Sequence, residues 1–165
     1  EIGLALGLIA GLIGGFSVYI SGRITDRLGP RDVRWVFWLP LGGALLSAPF
    51  SALAYLTDSS AIALGAIAVA TLFSHLYAAL GHAQLQSLVK PRMRAMMSAV
   101  ALFAMNMVGF GIGPVLVGGL STLLGGDQAL RWALVAFVPC FPWAAAHYAL
   151  AARTYRTDLE AKTAD

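Results

Sequence analysis

Residues 2–21 contain no Asp, Glu, Lys or Arg, and neither do residues 35–56, 61–83, 95–124 or 132–152. Each stretch is mostly apolar, and each reaches the length of about 20 residues that a helix needs to cross a hydrocarbon core of roughly 30 Å. Inside a bilayer every backbone polar group must be satisfied within the protein, so such stretches fold as helices. The expectation is an all-α, polytopic transmembrane bundle of five spans. Composition agrees: 59% of the 165 residues are hydrophobic and 12% are charged, against about 45–50% and about 25% in soluble domains. Too few polar residues remain to coat a soluble core, which excludes a soluble enzyme, a disordered chain and a disulfide scaffold. Cys140 is the single cysteine, so no internal disulfide can form.

Five spans put alternate loops on alternate sides. Arg23, Arg27, Arg31 and Arg34 share a side with Lys90, Arg92 and Arg94 and with Arg153, Arg156 and Lys162. Arg131 alone lies opposite. The positive-inside rule therefore makes loops 22–34 and 84–94 and the C-terminus cytoplasmic. Trp35, Trp38 and Trp132 fall at span ends, where aromatic side chains anchor helices at the interface. Residues 1–157 are read as one bundle and 158–165 as a polar cytoplasmic tail, fraying beyond Thr157. Glu1 is no initiator and the apolar run begins at once. The sequence thus reads as a fragment whose start lies upstream.

Gly3, Gly7, Gly11 and Gly14–Gly15 recur along the first span, a spacing that lets another backbone approach closely. Helix packing explains it without any ligand. The following loop, Gly22-Arg-Ile-Thr-Asp26-Arg27-Leu-Gly29-Pro30-Arg31, holds one acid among arginines. A plain orienting turn would need no acid there. A carboxylate so placed can pair with arginine or cap a helix N-terminus, and so form a latch made in one conformation and broken in another.

This loop resembles the major facilitator superfamily signature G-x-x-x-D-R-x-G-R-[RK]. Gly22, Asp26, Arg27 and Gly29 match; Pro30 stands where an arginine is expected, with Arg31 one place later. A second run, Gln86 to Ala95 followed by Asn106, Gly109, Gly111, Gly113, Pro114 and Gly118-Gly119-Leu-Ser121, is similar to the C-terminal half of Spinster-like transporters. The resemblance covers the chain to about Thr157 and implies that the five spans are the eighth to twelfth helices of a partial major facilitator fold. It implies alternating access, in which two bundles rock about a site near mid-membrane. It further implies a missing N-terminal half as partner of the Asp26 latch, with Arg94 near the place where the reciprocal loop docks. The implied location is the plasma membrane, the inner membrane of a bacterium.

Polar residues at membrane depth are the substrate-cavity candidates, because a buried polar or ionisable group in a span is costly unless it faces the bundle or water. They are His75, Tyr77 and Asn106. The resemblance places them on cavity-lining helices, His147 and Tyr148 on a peripheral one, and His82 and Gln84 at the rim. His75 as a neutral ring bonding a neighbouring helix is an equally open reading. Gly109, Gly111, Gly113 and Pro114 weaken one span over six residues, which suits either helix flexure or close packing. No catalytic or metal constellation stands out, no phosphate-binding loop implies ATP, and no cofactor is expected. The arginines read as orienting residues rather than a nucleic-acid surface.

The function expected is secondary active transport of a small organic or amphiphilic solute, with the bilayer as surroundings. The alternative is a self-contained five-span scaffold or assembly protein. An intramembrane enzyme ranks last, for want of paired catalytic residues.

Overall fold

The computed structural model describes residues 2–164, except for the side chains of Ile2, Ala79, His82 and residues 161–164. The described residues are helical or in short turns, with no strand among them. Helix α1 runs from Gly3 to Leu28 and α2 from Trp35 to Leu56. Next come α3, Ser60–Ser74, and α4, Tyr77–Leu88. Helix α5 runs from Pro91 to Leu124. The last two are α6, Ala129–Ala136, and α7, Cys140–Ala164. Helices α1, α2 and α5 and the α6–α7 stretch are each long and apolar enough to cross a membrane. The chain is an all-helical integral membrane protein.

The stretch expected as one span at 61–83 is two helices. Helix α3 is a shorter apolar helix, and α4 follows it. The break is at His75–Leu76, where the Leu76 N–H bonds back to the Phe73 carbonyl at 3.3 Å. The last pass is broken as well, for a reason visible in the sequence. Pro139 and Pro142 have no N–H to offer the carbonyls of Val135 and Val138. Those carbonyls accept instead from Val138 at 3.0 Å and Phe141 at 3.0 Å, a tighter turn that separates α6 from α7.

Helix α2 is the centre of the bundle, with α3 on one side and α7 on another. Its approach to α3 depends on small residues. A Cβ placed on Gly43 would lie 2.4 Å from the Phe73 carbonyl oxygen, so backbone meets backbone there. One turn on, the fully buried Ser47 hydroxyl donates to Gly43 O at 2.7 Å, with Ala70 O of α3 at 3.2 Å. Against α7, Phe37 meets Tyr155 edge-on at 4.8 Å, with Ala152 buried beside them. This cluster takes in Leu159, and Arg156 lies 3.6 Å from Glu160 one turn along. These contacts explain why helix α7 continues to Ala164 through the tail that was expected to fray.

The glycine stripe of α1 packs closely at one position. Gly14 faces the His75 ring, 3.1 Å from a built Cβ, whereas Gly3, Gly7, Gly11 and Gly15 have open space. Helix α1 is also held by Ser17, whose hydroxyl donates to the Leu72 carbonyl of α3. At the end away from the arginine-rich loops, Arg131 pairs with Asp58 at 2.6 Å and ties the α2–α3 turn to α6.

Substituting Gly43→Ala should destabilise the bundle by about 1–3 kcal/mol, because the obstacle is backbone and cannot swing aside. Gly42→Ala, with nothing within 4 Å, should be close to neutral. Unfolding in detergent micelles checks this; equal effects at the two glycines would contradict the close contact.

Candidate functional site

The helix breaks position the candidate residues. His75 ends α3, and its ring Nδ1 donates to the Thr71 carbonyl at 3.0 Å. The ring is partly buried and lies against Gly14 of α1. It therefore plugs the α1–α3 contact. Tyr77 begins α4 beyond the same break and turns elsewhere. It lines a cavity of about 470 Å³ bounded by α2, the two breaks and α7, with Pro40, Tyr55, Ser74, Phe141 and Tyr148 among its walls. Asn106 is exposed on α5 and donates to the Leu102 carbonyl of its own helix at 2.7 Å. The three residues are thus not brought into one cavity: Tyr77 alone of them lines this one.

Around Asn106 the helix changes character. Residues Met107–Ile112 form a π turn, and Gly113–Leu124 resumes the α-helix. Pro114 can give no N–H to the Phe110 carbonyl, and Gly109, Gly111 and Gly113 tolerate the wider turn. Large apolar side chains along α5 are exposed, among them Met96, Phe103, Met107, Phe110 and Leu123.

The arginine-rich loop holds Gly22, Asp26, Arg27, Gly29 and Arg31 at the end of α1 and its reversal into α2. Asp26 and Arg27 are exposed, and among the described residues no ion pair reaches Asp26. Gly29 is needed for space: its N–H bonds the Thr25 carbonyl at 2.7 Å, and a Cβ would lie equally close to that oxygen. Asp32 accepts the Arg34 backbone N–H at 2.9 Å, which sets the entry to α2.

Two residues act structurally in ways that spacing could not reveal. Gln84 is buried, not at a rim, and its side-chain amide donates to the Val36 carbonyl. That carbonyl is four residues before Pro40, the one orphaned by the missing proline N–H. Ser87 hydrogen-bonds Tyr155 at 2.8 Å, joining α4 to α7. His147 is exposed, edge-on to Trp143 at 5.1 Å. Tyr148 was expected at the periphery; it lines the Tyr77 cavity. The His82 side chain lies outside the described residues.

These features define a multi-span bundle with helices interrupted at membrane depth, a construction found in membrane transporters. The chain is 37% identical over 163 residues to an MFS-type efflux pump of Mycolicibacterium smegmatis, covering 96% of this chain and 38% of the pump. Its fold matches the crystal structure of a bacterial homolog to the human lysosomal transporter Spinster, in an inward-facing, unoccupied conformation. There the TM-score is 0.75, with 26% identity over 88% of this chain and 38% of that one. The occupied, inward-facing structure of a bacterial Spinster homolog matches with a TM-score of 0.72 and 24% identity, over 88% and 40% of the two chains. No family model matches the chain. The chain is thus similar in sequence to part of an MFS-type efflux pump and in fold to part of bacterial Spinster homologs. It spans less than half the length of these relatives.

A double-mutant cycle tests the proline–glutamine pairing. Gln84→Leu should destabilise the bundle by about 0.6–1.7 kcal/mol, the range of interhelical hydrogen bonds in membranes. In a Pro40→Ala background, where the helix satisfies Val36 itself, the loss should largely vanish. Additive effects would contradict the pairing.

Proposed function

We propose that the chain forms part of a secondary active transporter working by alternating access. Its partner would be a second helical bundle supplied by the remainder of a longer protein. The observation that carries this reading is the efflux-pump relative, which matches nearly the whole chain at 37% identity. The exposed apolar face of α5 supports it, because a surface of that kind suits a second bundle as well as lipid. The relative's description as an efflux pump favours export.

The substrate class we favour is a small organic or amphiphilic molecule. Tyr77 and Asn106 are the residues proposed to face it, with His75 setting the position of Tyr77 across the helix break. The π turn and its glycines are proposed as the point where α5 bends during the cycle. The loop from Gly22 to Arg31 is proposed as the latch. Asp26 is exposed and has no ion-pair partner among the described residues, as a latch partner on another bundle would require. The excess of Lys and Arg in the basic loops and the C-terminal helix supports a cytoplasmic side for them.

In the full-length protein, Asp26→Asn should lower the export rate of an amphiphilic dye from cells roughly tenfold, the effect of losing a charge-assisted contact of about 1.4 kcal/mol in one conformation. The amount of protein in the membrane should stay the same. Wild-type export from Asp26→Asn, with unchanged inward and outward populations, would remove the latch.

A further inference from the structure

The cavity beside Tyr77 is complete within this chain. Its walls come from α2, from the ends of α3 and α4 at their break, and from α6, α7 and the turn between them. Among the described residues, neither α1 nor the exposed helix α5 contributes to it. A second bundle set against α5 is therefore not needed to build it. Its volume of about 470 Å³ falls in the range of roughly 300–1,000 Å³ usual for small-molecule sites.

The chemistry of the walls narrows the occupant. Among the described residues, no Asp, Glu, Lys, Arg or His lines the cavity. An ion placed there, at membrane depth, would have no counter-charge. Most of the surface is apolar, with Phe137, Val138 and Phe141 prominent. The polar side chains are Ser74, Cys140 and three tyrosines, Tyr55, Tyr77 and Tyr148. The Ser74 hydroxyl already donates to the Thr71 carbonyl at 3.2 Å. The three phenol hydroxyls have no hydrogen-bond partner among the described residues. A tyrosine hydroxyl in apolar surroundings usually finds one. A phenol both donates and accepts, so it suits a hydroxyl or an ester oxygen. The shape agrees: Pro40 and Tyr55, both on the walls, lie about 22 Å apart along α2. Such walls make a slot, which suits a single alkyl chain. Lipid is as apolar as these walls, so moving a chain into them gains little over leaving it in the bilayer. The hydrogen bonds to the phenols are what would hold the molecule.

We propose that this cavity binds one single-chain amphiphile drawn from the bilayer, with its alkyl chain along the slot and its hydroxyl or ester oxygen on a phenol. A charged head group stays outside the walls. The inference rests on the reading that Tyr77 faces the solute and names that solute's chemistry. Binding and flux are measured separately, so either can fail alone.

The full-length protein in lipid nanodiscs is photolabelled with a monoacylglycerol that carries a diazirine in its chain, and the labelled residues are mapped by mass spectrometry. The expected result is saturable labelling of the cavity walls, displaced by unlabelled monoacylglycerol. Tyr77→Phe and Tyr148→Phe should each raise the half-labelling concentration roughly threefold to tenfold, the effect of one hydrogen bond lost in a membrane. Labelling by a diazirine alkane of the same length, which has no oxygen, should not respond to either substitution. Ala144→Phe, filling the slot from α7, should abolish labelling of the walls. If Ala144→Phe fails to fold, the two Tyr→Phe variants carry the test. Tyr19→Phe, on α1 and outside the cavity, should change nothing. Unsaturable labelling spread over α5 as well as the cavity would reduce the contact to ordinary lipid and overturn the site. An equal response of the alkane, or of Tyr19→Phe, would overturn the role of the phenols. Saturable flux of monoacylglycerol without labelling of the walls would overturn this inference and leave the transport reading standing. Labelling as expected without flux would support the site and remove its transport role.

Discussion

Within a bilayer an unpaired backbone carbonyl or N–H has no water to turn to. That constraint organises this bundle more than any side-chain packing does. The chain carries seven prolines, several in the middle of helices, and each leaves a carbonyl without its usual partner. The Val36 carbonyl before Pro40 is met by Gln84, and those before Pro139 and Pro142 by tightened turns. Ser17 and Ser47 act in the same way across helices, each giving its hydroxyl to a main-chain oxygen. Small residues help: at Gly43 the α2 and α3 backbones come close, and one turn on Ser47 reaches the Ala70 carbonyl of α3.

The outcome is an asymmetric object. Helices α1, α2, α3, α4 and α7 are tied by hydrogen bonds and by the Phe37–Tyr155 cluster. Helix α5 carries a π turn in its middle and a broad exposed apolar face. Helix α5 is joined to the tied helices through Gln86 of α4, whose side-chain amide donates to Ser98 Oγ at 3.0 Å.

Much of the architecture was legible in the sequence. Charge-free stretches long enough to span gave the all-helical bundle, because the bilayer leaves so few alternatives. The loop from Gly22 to Arg31 gave the resemblance to major facilitator transporters, through Gly22, Asp26, Arg27 and Gly29. The break at His75–Leu76 was hidden, because no proline or glycine marks it. Gln84 was misread as a rim residue because its partner is a carbonyl freed 48 residues earlier by Pro40. Tyr77 lines a cavity while His75, two residues earlier, lies on Gly14. Residues two apart face nearly opposite ways even on a continuous helix, so their spacing already argued against one shared cavity.

The most direct measurement is flux of a fluorescent lysophospholipid in proteoliposomes, comparing the full-length protein with this 165-residue chain inserted alone in the same lipid. Saturable flux is expected from the full-length protein and none from the chain, because alternating access needs a second bundle to rock against. Saturable flux from the chain alone, at a density where it is monomeric, would contradict it.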